Sequence, residues 1–151
     1  MTELLFRTDA YLREAEGTVL GLTPEGGIIL DRTLFYATGG GQPGDAGWLD
    51  VRAGRVAIAT AVKGEGGAVV LIPAEGQPQP EVGETVGQTL DWDRRHGHMR
   101  VHTGLHLLSV AIPRPVTGGA IFADRGRLDF DLPELPSDLA ALEAALNDLV
   151  A

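Results

Sequence analysis

Along the first ninety positions, apolar residues recur in short runs bounded by glycine or proline. Residues 15–22, 27–31, 55–62 and 67–72 are rich in Val, Ile, Leu and Thr, and each is too short for a helix of ordinary length. They predict β-strands. Gly64-Glu-Gly-Gly, between the last two, reads as a hairpin turn. Residues 73–80, rich in Pro, Gln and Gly, read as a surface loop. Residues 83–92 add a final strand that leads into the next element. Many short strands at regular spacing favour a small barrel or a sandwich.

Near residue 91 the period changes. Asp91 or Asp93 is placed to cap a helix that runs from Arg94 to about Val110. Val101, Leu105, Leu108 and Ala111 form its apolar stripe, broadened by Leu107. Pro113 and Pro115 end it. Residues 117–123 and 126–131 read as two strands with Asp124-Arg-Gly at their turn. Ser137 is expected to cap a last helix, with Leu139, Leu142, Leu146 and Leu149 on its buried side. That helix reaches Ala151 with no Gly, Pro or basic residue to stop it, which points to a chain cut from something longer.

Charge narrows the partners. A formal net charge of −9 argues against broad wrapping of nucleic acid, so any RNA contact must be local, and DNA is not expected. No apolar run approaches the roughly 20 residues that a membrane span needs. The first residues lack the pattern of a secretion signal, and there is no cysteine to form a disulfide, so a cytoplasmic location is expected. Against the acidic background, residues 94–106 carry Arg94, Arg95, His96, His98, Arg100, His102 and His106 with no acid among them. This is either a solvated helix face or a small positive surface suited to a phosphate.

Two segments carry candidate chemistry. His102 and His106 stand four residues apart on the expected helix, about 40° from each other around its axis. Both imidazoles can therefore reach one metal ion. No Glu follows His102, so this is not the His-Glu-x-x-His of a zinc protease. Zinc needs three or four protein ligands, and His98, four residues before His102, lies about 12 Å from His106 along the axis, too far to share its ion. The second segment is Phe35-Tyr-Ala-Thr-Gly-Gly-Gly-Gln-Pro-Gly-Asp-Ala-Gly-Trp48. Its glycines permit positive φ and close approach, and Gln42 offers both a donor and an acceptor. It matches neither the dinucleotide fingerprint nor the Walker A loop, and by itself it reads equally as a tight β-turn.

Taken together, residues 31–47 (Asp-Arg-Thr-Leu-Phe-Tyr-Ala-Thr-Gly-Gly-Gly-Gln-Pro-Gly-Asp-Ala-Gly) and His102-Thr-Gly-Leu-His106-Leu-Leu resemble the editing domain of alanyl-tRNA synthetase. The resemblance is closer to its freestanding relatives, the alanyl-tRNA editing proteins of the AlaX group. Val116-Thr-Gly-Gly and Gly126-Arg-Leu-Asp-Phe-Asp extend it to the end of the chain. It implies an α+β fold: a small N-terminal β-barrel over residues 1–90, then, over 91–151, part of a zinc-binding editing domain of the threonyl/alanyl-tRNA synthetase type. The implied activity is hydrolysis of the 3′-aminoacyl ester of tRNA(Ala) wrongly charged with serine or glycine.

The same resemblance makes His102 and His106 zinc ligands. The family's other half-site, a Cys-x-x-x-His, is missing here and is expected beyond residue 151, so the pair is expected to hold metal weakly in this chain. Zinc would orient the substrate amino group or activate water. Gly40, Gly41, Gln42 and Thr103 are placed near the acyl end of the substrate, and Arg94, Arg95 and Arg100 at the phosphates of the tRNA acceptor end. ATP binding, a property of the synthetases at large, stays open. Two alternatives remain: a noncatalytic tRNA- or protein-binding module, and a pair of chains each donating two histidines to one metal.

Overall fold

A computed structural model describes residues 1–134 and 136–150; Ala151, where the expected second domain ends, lies outside the described residues. The chain divides into two compact units, Met1 to Arg95 and His96 onward.

In the first unit, β1 (Glu3–Leu4), β2 (Glu14–Leu22), β3 (Ile28–Leu30), β4 (Arg32–Thr33), β5 (Gly47–Val51), β6 (Gly54–Lys63), β7 (Val69–Pro73) and β8 (Thr85–Leu90) follow in order. Six of them close into a barrel in the order β2-β3-β7-β6-β5-β8, every neighbouring pair antiparallel. Closure leaves no open sheet edge, which decides between the barrel and the sandwich that the strand spacing had left open. Short β1 and β4 form a separate parallel pair.

Alternation fills the interior. Val19, Ile28, Leu30, Leu49, Val56, Ile58, Leu71 and Val86 point inward and are at most 2% exposed. Strand β5 is not among the strands predicted from the sequence, which leaves Gly47 and Trp48 inside the glycine-rich segment. It alternates strictly, with Gly47, Leu49 and Val51 buried and Trp48 and Asp50 exposed. One inward position is glycine because a Cβ there would lie 2.2 Å from the Thr89 carbonyl oxygen. With that position mute, only two inward apolar residues, Leu49 and Val51, are left to signal the strand.

Polar side chains sit in this core as well. Gln88 of β8 accepts from the Thr33 hydroxyl at 2.9 Å and the Leu34 amide at 3.3 Å, and donates to the Arg32 carbonyl at 3.1 Å. It thereby pins residues 32–34, the entry to the glycine-rich segment.

Helix α1 (Trp92–Ala111) begins at the end of the first unit and continues in the second. Asp91 caps it, accepting from the Arg94 amide at 3.2 Å. It ends two residues before Pro113, whose ring and missing N–H cannot continue it. β9 (Val116–Ile121) and β10 (Gly126–Phe130) form an antiparallel hairpin closed by Phe122 N–H to the Arg125 carbonyl at 2.9 Å. Two glycines let helix and hairpin meet. A Cβ on Gly97 would lie 2.5 Å from the Ala123 carbonyl oxygen, and one on Gly126 would lie 2.7 Å from Val101 Cγ1.

Helix α2 (Leu139–Val150) departs from expectation twice. Its cap is Asp138, which accepts from the Ala141 amide at 2.9 Å, rather than Ser137. Its leucines are not on a buried side: no residue of the helix is buried, and Leu139 is 67% exposed. The 3.6-residue period is there, but among the described residues the stripe is only partly covered, with Leu142 and Leu146 half-buried. No described helix is long and apolar enough to cross a membrane.

Candidate functional site

The glycine-rich segment folds as a tight hairpin turn. Gly39 and Gln42 exchange backbone hydrogen bonds at 3.1 and 3.0 Å, with Gly40 (φ 59°) and Gly41 (φ 78°) between them. Two consecutive positive φ values define a type I′ turn, which a side chain at either position would strain. One backbone bond ties the turn to the barrel and two more bonds brace the segment itself. The Thr38 amide donates to the Ala61 carbonyl of β6 at 2.9 Å, the Gly44 amide to the Thr38 hydroxyl at 2.9 Å, and the Tyr36 hydroxyl to the Gly39 carbonyl at 2.9 Å. Gly40 and Gly41 are exposed at the tip, whereas Gln42 is 5% exposed.

Beneath the turn lies a buried ion pair. Asp45 Oδ2 accepts from the Tyr36 amide at 2.6 Å and from Arg95 Nε at 2.8 Å, and lies 2.7 Å from a terminal nitrogen of the same guanidinium. Arg95 also donates to the carbonyls of Leu34 at 2.7 Å and Ala10 at 3.3 Å. Both side chains are under 5% exposed. This corrects the expectation that Arg95 meets tRNA phosphates, because its guanidinium is taken up by one carboxylate and two carbonyls inside the fold. Arg95 instead locks the glycine-rich segment, the 9–11 segment and the first turn of α1 together. Neither the pairing nor the role of Asp45 is visible in sequence, since the partners lie 50 residues apart.

The other two arginines differ. Arg94 is half-buried and its Nε is buried with no hydrogen-bond partner, while Arg100 is exposed on α1.

In the second unit, His102 and His106 lie one turn apart on α1. Their rings are nearly parallel, 15° between planes and 5.0 Å between centroids. His102 is half-buried and His106 exposed. Burial, and then the neighbouring charge of His106, push the His102 pKa below the ordinary histidine value. The neutral imidazole is thus favoured, the form with a lone pair for a metal. The donor chemistry suits zinc, but the number does not. Among the described residues no group of three or more His, Cys, Asp or Glu is placed to hold an ion. The pair alone does not make a zinc site, and no reaction step is routed through one. Thr103 is exposed beside His102, and His98, in the same helical row, is 2% exposed.

A sequence profile described as tRNA synthetases class II (A) matches residues 12–94, more than half of the chain. The chain belongs to this family. Along its whole length it is 37% identical to the alanyl-tRNA editing protein AlaX-M of Methanosarcina mazei, of which it covers 64%. It is 38% identical over 89% of its length to the AlaX-M protein of Pyrococcus horikoshii, covering 62% of that protein. An alanine–tRNA ligase of Pyrobaculum arsenaticum is 36% identical over 99% of this chain, which covers 17% of the ligase. The chain therefore spans just under two thirds of these AlaX-M proteins. The profile takes in the glycine turn and Asp45; the histidine pair lies beyond it, within the stretch shared with the Methanosarcina protein.

Proposed function

We propose that this chain is the barrel and part of the catalytic domain of a hydrolase that edits mischarged tRNA(Ala). The carrying observation is that its similarity to alanyl-tRNA editing proteins takes in both the type I′ glycine turn and the histidine pair. The reaction is addition of water to the carbonyl carbon of a 3′-aminoacyl ester. The C–O bond to the terminal ribose then breaks, the ribose oxygen takes a proton, and the free amino acid leaves. An aminoacyl ester is already reactive, so positioning a water against it supplies much of the acceleration.

In this reading Gly40, Gly41, Gln42 and Thr103 bind the acyl end, and exposed Arg100 and half-buried Arg94 serve the acceptor phosphates. His102 and His106 are two of the zinc ligands. Serine is told from alanine by a hydrogen bond to its hydroxyl, whose absence would leave buried polar groups unpaired. In the same reading the protein works in the cytoplasm.

The test is release of serine from seryl-tRNA(Ala) with alanyl-tRNA(Ala) as the control, alongside zinc content by elemental analysis. When the full gene product is assayed, selective release of serine, with zinc lost in His102→Ala, is expected. Full zinc content and unchanged turnover in that variant would sink the assignment. The two-ligand set favours a second reading, a binding module without catalysis; it predicts RNA binding with no ester hydrolysis and no stoichiometric zinc.

A further inference from the structure

The chain holds one lysine among twelve basic residues, and it lies at the glycine turn. Lys63 ends β6, the strand to which Thr38 is tied. A Cβ on Gly39 would lie 3.2 Å from Lys63 Nζ, 3.3 Å from its Cε and 3.6 Å from the Tyr36 hydroxyl; one on Gly40 would lie 3.9 Å from that same hydroxyl. Ammonium and phenol thus flank a patch of bare backbone that any side chain would cover.

The Tyr36 hydroxyl is committed to the Gly39 carbonyl, but the ammonium and two amides of this patch are unused. Among the described residues Lys63 pairs with no carboxylate, although the protein carries 21 acids. The turn's own hydrogen bonds use the amides of Gly39 and Gln42, and those of Gly40 and Gly41 donate to no described acceptor. One mobile cation and two exposed amides on a turn with no side chains in the way form a site for an oxygen anion, reachable by something as bulky as a nucleic-acid backbone.

We infer that Lys63, with the Gly40 and Gly41 amides, binds a phosphate oxyanion, supplied by the acceptor strand of the RNA. That owner rests on the editing reading, within which it moves Gly40 and Gly41 from the acyl end to the phosphate and leaves Gln42 and Thr103 at the acyl end; the anion site itself does not rest on it. A single phosphate contact weakens binding across all sequences when lost, and lowers the salt dependence by a fixed step.

The 151-residue chain would be titrated with inorganic phosphate and, separately, with an uncharged alanine acceptor-stem RNA. Readouts are the Gly40 and Gly41 amide resonances and the slope of log Kd against log salt. Shifts of both amides that vanish in Lys63→Gln are expected. RNA affinity should fall severalfold and the salt slope by about 0.7–0.9, the value for one phosphate. Arg55→Gln, the same loss of charge beside Asp50 on the barrel wall, should leave the slope within error of wild type. Gly39→Ala, whose Cβ intrudes on the ammonium, should weaken both ligands. Amide shifts with phosphate but not with RNA would transfer the site to a small anion and overturn the acceptor-strand assignment. Absence of shifts with either ligand, or an equal loss in Arg55→Gln, would overturn the site. Hydrolysis of 2′(3′)-O-seryl-adenosine, which has no phosphate, by the wild-type chain reports the editing reading independently, so either can fail without the other.

Discussion

Leu49 in the barrel and Leu139 in helix α2 both sit at regular positions of an apolar pattern, yet one is completely buried and the other is 67% exposed. The barrel packs fifteen buried apolar residues into one cluster. In the unit after it, Ile121 is the one buried apolar residue among the described positions. An alternating strand in a closed ring supplies both the face and its cover, because the neighbouring strands turn their own inward residues onto it. An amphipathic helix supplies only a face. A 12-residue helix without a covered stripe is marginal in water, since nucleation costs more than so few hydrogen bonds return.

The comparison can be broken most forcefully at Arg95. Arg95→Ala leaves Asp45 as a buried, uncompensated charge and is expected to destabilise the barrel by about 3–5 kcal/mol in chemical denaturation. A loss under 1 kcal/mol would mean that the pair holds nothing together. Leu49→Ala should cost about 2–5 kcal/mol by the same measurement.

In the second unit, Gly97→Ala forces a methyl group to 2.5 Å from the Ala123 carbonyl and should cost about 1–3 kcal/mol, read from hydrogen-exchange protection of β9 and β10. Leu139→Ala on α2 should change stability by no more than about 0.5 kcal/mol, as surface substitutions do. A cost near that of Leu49→Ala would show the α2 stripe to be covered in solution.

The smallest effect concerns pH. The backbone amides of Arg52 and then Glu81 hold the Glu84 carboxyl below the ordinary glutamate value of 4.5. Its contribution to stability is therefore complete above that unfolded value and is lost as pH falls through the lowered folded one. An NMR titration should place the Glu84 midpoint below 4.5, and Glu84→Gln should flatten this small acid limb. A midpoint at or above the ordinary value would contradict the hydrogen bonds.

Strand positions with branched apolar residues, such as 15–22 and 55–62, were legible because β-propensity and glycine punctuation agree there. β5 was not, since its inward row begins with Gly47. The last helix was legible as a helix, and its cap was misplaced by one residue because Ser137 and Asp138 are both good caps. At the site, the reach of His102 and His106 followed from helical spacing alone. Arg95 was misread because a surface helix start and a buried one carry the same charged letters.

What the sequence determined by itself is whatever depends on near neighbours along the chain: the strand and helix periods, the glycine turn that only Gly40 and Gly41 tolerate, and two imidazoles one turn apart. Tertiary structure decided which of those faces met a partner. It closed six strands into a ring, sent Arg95 inward to Asp45, brought Lys63 to the bare backbone at Gly39, and left no leucine of α2 buried. The physical reason is that backbone preferences and helical geometry are local, whereas burial and charge pairing depend on residues that arrive from tens of positions away.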